Sequence, residues 1–414
     1  MQDDSTGSVP VVGASGRAVD RTAPGEALVS FDISKRQLFL LLVKNKFLTL
    51  LTFGIYRFWA KTHLRRLFWQ GVEIGGDRLD YMGTGKELFL GFLLAIAILL
   101  PTSIAFSIGA RVLDFLGPGW IVFNQFLYIT LLYGFWQFAR YRLWRYRLSR
   151  TAWRGIRFYL TGSAFTYAWK VVLLSLLCVA TLGWAYPALQ AFRLNYQLNN
   201  SRFGNGAFTY KGTVKGLYRI YWPLILGWQV VAVVLIFYLY HSELSFGAGG
   251  RPSLNEEKFK DDAPIIFTAA GIMFFFYFLF AFFARVWEFR YLVRHTCFGR
   301  AWFTSYLTGR SVLLIMVIMF AVGFIGFIGF AVIYGAIVFM GSHAAFFLMA
   351  FFFFFAYVGV DILKTMFLMA PLLKVICRTL HIHDFGVFEE TASASVDMPK
   401  YGEGFADALD VGAF

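Results

Sequence analysis

The stretch KNKFLTLLTFGIYRFWAKTHLRRLFWQGVEIGGDRLDYMGTGKELFLGFLLA, residues 44–95, decides how the rest of the chain is read. It has four parts in a fixed order. An apolar run, 47–56, comes first. A basic and aromatic tail follows, with Arg57, Trp59, Lys61, Arg65 and Arg66. A short polar strand pair then turns at Gly75-Gly76, because paired glycines supply the φ > 0 geometry of a two-residue hairpin. Tyr81-Met82-Gly83 leads into a new apolar run at Leu88, and the same order recurs along the chain.

The whole chain of 414 residues is 58% apolar, 20% aromatic and only 15% charged. Soluble chains average about 45–50% apolar and about 25% charged. Long apolar runs fall at 88–108, 120–138, 221–240, 265–287, 312–340 and 344–373, and about 20 such residues cross a bilayer. The expected class is therefore an α-helical polytopic membrane protein. The fifty Phe residues read as lipid-facing bulk. The net charge of +14 does not predict a nucleic-acid partner, because the cations sit beside apolar runs. There they set topology and meet anionic lipid, the expected partner. The three cysteines, Cys178, Cys297 and Cys377, form no Cys-x-x-Cys pair, so neither disulfides nor a zinc site are expected. No sequence feature sets an oligomeric state.

Residues 1–27 are rich in Gly, Ser, Asp and Pro and read as a disordered cytoplasmic tail. They lack the basic start and apolar run of a signal peptide. Strand-like pieces recur just before apolar segments, at 28–33, 77–82, 157–160, 207–210 and 303–307. Isolated strands leave backbone groups unpaired. The five pieces are thus expected to pair with one another in a small cytoplasmic β-sheet, with Gly83, Gly162, Gly212 and Gly309 adopting special backbone angles where strand becomes helix.

The chain also repeats itself. At an offset of 129, Thr52, Gly54, Gly75, Tyr81, Gly83, Lys86 and Leu88 fall on Thr181, Gly183, Gly204, Tyr210, Gly212, Lys215 and Leu217. At 147, residues 159–162 fall on 306–309, both Tyr-Leu-Thr-Gly. The difference, 147 − 129 = 18, marks an insertion, placed in the loop 241–263. Duplicated units are expected at 28–162 and 163–309, followed by a transmembrane pair at 310–388 and a polar tail at 389–414. Arg and Lys concentrate at 57–66, 140–157, 193–219, 285–310 and 374–378. The positive-inside rule puts these regions and both termini in the cytoplasm, and the acidic loop 241–263 outside. Segments 38–56 and 165–189 then begin and end on one side, so they dip in and return. The second, however, is also long enough to span.

The residues LLTFGIYRFWAK (50–61), GDRLDYMGTGKELFLGF (76–92) and TLGWAYP (181–187) resemble the YjgN-like family of bacterial inner-membrane proteins. The resemblance covers about 28–390. It implies a bacterial inner membrane and a domain of unknown function. The position of Trp59-Ala60-Lys61 has no counterpart near 287, and no catalytic residue carries over.

Enzyme signatures are not found. The six His are scattered, and no phosphate loop or nucleophile motif occurs. No enzyme, metal or cofactor is expected. Asp361 follows a long apolar run, with Lys364 one turn on. Ionisable groups within spans often mark pathways, although an i,i+3 pair can also neutralise itself. Asn124 and Gln229 complete a candidate transport path, against the plainer reading of helix–helix hydrogen bonds. Arg65, Arg66, Arg142, Arg145 and Arg147 are candidate lipid-headgroup ligands, against the plainer reading of interfacial anchors. Two functions are expected on these grounds. One is transport of a small solute or ion. The other is a non-catalytic scaffold that organises anionic lipid.

Overall fold

The computed structural model describes residues 26–114, 117–246, 252–254, 256–339 and 358–392. Gly75 and Gly76 sit at φ +56° and +91°, the left-handed geometry of a tight hairpin. They join β2 (Val72–Ile74) to β3 (Asp77–Tyr81). The same unit recurs three times. It joins β4 (Thr151–Trp153) to β5 (Ile156–Leu160), β6 (Ser201–Phe203) to β7 (Gly206–Tyr210), and β10 (Thr296–Phe298) to β11 (Ala301–Ser305). With β1 (Glu26–Phe31) and β12 (Leu380–His383) these hairpins close a barrel in the order β1-β12-β11-β10-β7-β6-β5-β4-β3-β2.

This corrects the expected class of a helical protein with a small sheet. The five pieces expected to pair with one another are β1, β3, β5, β7 and β11, and none of them pairs with another of the five. Each lies between two of β2, β4, β6, β10 and β12. Four of those five partners escaped the sequence reading. Three are three-residue strands that follow a long helix without a breaker, too short to show a period of two. The barrel is filled rather than hollow. Val29, Phe31, Trp153, Phe203, Phe298 and Ile382 point inward and form one core. Phe68, Leu38 and Cys377 seal it on the helix side. At the hairpin-turn end Phe388 stacks on Phe298 with centroids 4.5 Å apart, and Phe385 lies edge-on to Trp153 at 5.7 Å.

Every long helix meets the barrel at the end opposite the hairpin turns. The chain leaves β1 through α1 (Lys35–Leu51) and returns to β2 through α2 (Arg57–Gly71). It then leaves through α3 (Gly85–Asp114) and returns through α4 (Pro118–Ser149). The pattern repeats with α5 (Ala164–Ala180) and α6 (Tyr186–Asn199), then α7 (Val214–Glu243) and α8 (Glu256–Arg294). A separate pair, β8 (Leu244–Phe246) and β9 (Pro252–Leu254), caps the far end of α7 and α8. Helix α9 (Gly309–Phe339) departs, and a π-helical turn (Lys364–Met369) leads through α10 (Ala370–Thr379) into β12. The short α11 (Gly386–Glu389) carries Phe388. Of the expected last span, 344–357 lies outside the described residues, as does most of the tail expected at 389–414.

Among the described residues four apolar helical stretches are long enough to cross a membrane: Gly85–Leu113, Val214–Val234, Gly271–Arg294 and Gly309–Gly329. At most 17% of each apolar window is buried inside the protein. The pairs α1–α2 and α5–α6 are helical hairpins that return to the barrel. Their tips are built alike, at positions 129 apart. Thr52 Oγ1 accepts from the Tyr56 N–H at 2.9 Å, and Thr181 Oγ1 from the Ala185 N–H at 3.1 Å. Phe53 is 98% exposed at the first tip and Leu182 73% at the second. Gln229 Nε2 donates to the Leu182 carbonyl at 3.3 Å. The second tip therefore reaches about 15 residues along α7, roughly 22 Å at the helical rise.

The glycines at the strand ends need a second correction. Only Gly162, at φ +87°, uses a left-handed angle. Gly83, Gly212 and Gly309 are needed for space. A Cβ at Gly83 would meet the Tyr81 ring at 2.5 Å, one at Gly212 the Tyr210 hydroxyl at 2.1 Å, and one at Gly309 the Phe283 ring at 2.5 Å. Gly249, in the far loop, lies outside the described residues. Gly227 has nothing within 4 Å of its Cβ position. Gly83→Ala and Gly212→Ala should each lower stability in detergent by about 1–3 kcal/mol, the usual cost of overpacking. Gly227→Ala should not, and thermal unfolding checks the contrast. Cys377 is buried against the barrel core, and burial pushes its thiol up to about 11. In the folded protein at pH 8 it should resist maleimide while the half-exposed Cys297 reacts. Labelling of Cys377 on heating should then track opening of the barrel.

Candidate functional site

The helices diverge from the barrel, and polar side chains stitch them together just beyond it. Glu87, in the first turn of α3, accepts from the Tyr146 hydroxyl at 2.9 Å and from Arg150 Nε and Nη2 at 3.1 and 3.0 Å. Burial, then Tyr81 and Glu87 beside it, pushes the Tyr146 hydroxyl far above its usual range. The hydroxyl therefore acts as a fixed donor to the carboxylate.

A larger network joins α6, α7 and α8. The Glu288 side chain is 9% exposed. Its Oε1 accepts from Gln190 Nε2 at 2.5 Å, and its Oε2 from the Tyr221 hydroxyl at 2.5 Å and Arg285 Nη1 at 2.9 Å. Arg285 Nη2 also donates to the Tyr186 hydroxyl at 3.2 Å. The Arg285–Glu288 pair is local, at i,i+3 spacing, but Gln190 and Tyr221 are not. They lie 98 and 67 residues from Glu288, with no local signal. Each carboxylate accepts three hydrogen bonds, as charges withdrawn from water require. Such sites hold helices together.

Among the described residues the four candidates for a transport path are not brought together. Asp361 pairs with Lys46 of α1, not with Lys364, and its carboxylate side chain is 51% exposed. Lys364 is exposed and opens the π-helical turn. Pro371 explains that turn, since it lacks the N–H that would bond back to Phe367, and the helix widens before it. Asn124 Nδ2 donates to the Phe106 carbonyl at 3.3 Å, tying α4 to α3, while Gln229 binds the α5–α6 tip. Three separate helix contacts thus hold Asp361, Asn124 and Gln229.

The headgroup candidates lie along the barrel-side half of their helices. Arg142 stacks over Phe138 with its Cζ 5.4 Å from the ring centroid. Arg145 stacks over Tyr141 and donates to the Gly162 carbonyl. Arg147 occupies the last turn of α4. On α2, Arg65 donates to the Tyr81 hydroxyl at 3.4 Å, and Arg66 is exposed. Among the described residues no group of three His, Cys, Asp or Glu is arranged to hold a metal.

His63 on α2 lies among cations. Burial, reinforced by Arg66 and Lys44, holds it below 6.5. Between the folded and unfolded values the unfolded chain binds more protons, so stability rises with pH there. The melting temperature should therefore be full above pH 6.5 and fall as pH drops below it. His63→Gln should flatten that part of the profile, and a pH series of thermal melts measures it.

A family profile described as "Bacterial protein of unknown function (DUF898)" matches residues 26–340. The chain is also similar to the inner membrane protein YjgN of Escherichia coli (strain K12), at 28% identity over 149 residues. That match spans 35% of this chain and 34% of the relative, about a third of its length. No solved structure matches. The profile covers well over half of the residues, and the chain belongs to the bacterial, YjgN-like DUF898 family of membrane proteins, whose function is unknown.

Proposed function

We propose that this protein is a non-catalytic membrane scaffold that gathers anionic lipid headgroups around its barrel. The observation that carries this reading is where the barrel puts the cations. Each long helix is tied to the ring at one end, and most of the basic residues fall in that half, with Arg57, Arg111, Lys258 and Lys260 as exceptions at far ends. They include Arg65 and Arg66 on α2, Arg140 to Arg147 on α4, Arg290 and Arg294 on α8, and Lys374 and Arg378 on α10. Lys86, Lys215 and Arg310 open α3, α7 and α9 at the same level. Cations near a membrane surface attract anionic lipid by about 1 kcal/mol each, so a collar of them acts collectively.

In this reading the barrel and both termini face the cytoplasm, and the α7–α8 loop lies outside. The tips of α1–α2 and α5–α6 enter the bilayer from the barrel side. The filled barrel argues against a conduit along its axis. The dispersal of Asp361, Asn124 and Gln229 removes the motive for a shared midplane site.

Purified protein should retain anionic lipid through detergent exchange. Replacing Arg142, Arg145 and Arg147 together by Gln should roughly halve the retained phosphatidylglycerol, measured by phosphorus assay, while Cys377 stays protected. Unchanged lipid content would count against the proposal.

A further inference from the structure

Between Asp114 and Glu243 the chain has no Asp or Glu and thirteen Lys or Arg. This stretch contains α4, α5 and α6 entire. Its cations must find carboxylates elsewhere or anions from outside. Some find carboxylates: Arg150 pairs with Glu87, and Arg154 with Asp77 and Glu389.

Arg193 on α6 does not. Its Nη2 donates to the Tyr133 hydroxyl of α4 at 2.9 Å, and its Nε is buried with no hydrogen-bond partner. Tyr133 in turn meets Ser175 of α5 at 2.8 Å, and Ser175 donates to the Val171 carbonyl at 2.7 Å. The donors therefore run in one direction, from guanidinium to Tyr to Ser. One turn along the same face of α4 is Gln137, 2% exposed, whose Oε1 also lacks a partner. Its neighbours on that face, Tyr133 and Tyr141, both touch α5, through Ser175 and Tyr167. Gln137 is thus turned into the wedge between α4, α5 and α6. Arg140 follows on the same face, and the Tyr167 hydroxyl feels the charge of both Arg140 and Arg193.

We infer that this wedge binds a phosphate group, either the phosphodiester of an anionic lipid or free phosphate. The inference rests on the headgroup reading and adds a discrete site to it. Two guanidinium groups without a carboxylate leave an excess of positive charge. A phosphate oxygen would occupy the orphaned Arg193 Nε in the forked geometry that guanidinium favours. Rotating the Gln137 amide would present its Nε2 as another donor.

The test uses the full chain in an uncharged detergent, titrated separately with phosphatidylglycerol, phosphatidylcholine and inorganic phosphate. One tight site per chain is expected. Saturation by phosphatidylglycerol alone assigns a lipid phosphodiester, and competition by inorganic phosphate assigns free phosphate. Arg193→Gln should weaken that site about tenfold or more, the usual loss of a charge-assisted contact, and leave total retained lipid unchanged. If neither probe binds, or if Arg193→Gln binds as tightly as the native chain, the inference is overturned. If Arg193→Gln unfolds, as exposure of Cys377 would report, Gln137→Leu replaces it, with a several-fold loss expected and native affinity overturning the proposal. The collar variant separates the two readings. Loss of total lipid with the tight site intact supports both, because the collar and the wedge then bind separately. Native lipid content in the collar variant, with the tight site still weakened by Arg193→Gln, would sink the scaffold alone.

Discussion

Closure of the sheet is the constraint on which this structure depends. None of its ten strands exceeds six residues, and five of them, β2, β4, β6, β10 and β12, have three or four. Strands this short are not stable alone, and an open sheet would expose two edges of unpaired N–H and C=O groups. Pairing β1 with β12, through Glu26 to His383 and Leu28 to His381, removes both edges. It also joins the beginning of the described chain to its end, so every helix pair between them becomes a loop out of one ring.

The ring in turn explains why the core is so aromatic. Ten short strands enclose a volume that must be filled from few inward positions. Large rings do this with the fewest residues: Trp153, Phe203 and Phe298 are among the largest fully buried side chains. The tyrosines at the strand ends serve the same economy from the other side. Tyr81 and Tyr210 fold back over Gly83 and Gly212, sealing the helix-side rim where a methyl group would not fit. Phe388 and Phe385 seal the opposite mouth.

Electrostatics follows from the same geometry. Carboxylates that enter the helix layer, Glu87 and Glu288, are saturated by tyrosine, arginine and glutamine donors from neighbouring helices. They act as clamps between helices that would otherwise have only apolar contact in lipid. Cations greatly outnumber those acids in the barrel-side half of the helices. This imbalance motivates both the collar and the phosphate wedge.

The membrane class, the family, the paired tips at Thr52 and Thr181 and the Gly75-Gly76 hairpin were legible in the sequence. Each of these rests on local signals: apolar runs, a motif, an offset, a glycine pair. The barrel was not legible. Thr151–Trp153, Ser201–Phe203 and Thr296–Phe298 carry too few residues to show alternation, and their partners lie in other hairpins. Likewise the sequence marked Asp361 and Lys364 as neighbours, but only the fold brought Lys46 to Asp361 across more than three hundred residues. Apolar length and turn chemistry are properties of a segment, so the sequence alone determined them. Which strand closes which edge, and which cation meets which acid, depends on backbone groups far apart in the chain finding partners at once, and only the tertiary structure decided that.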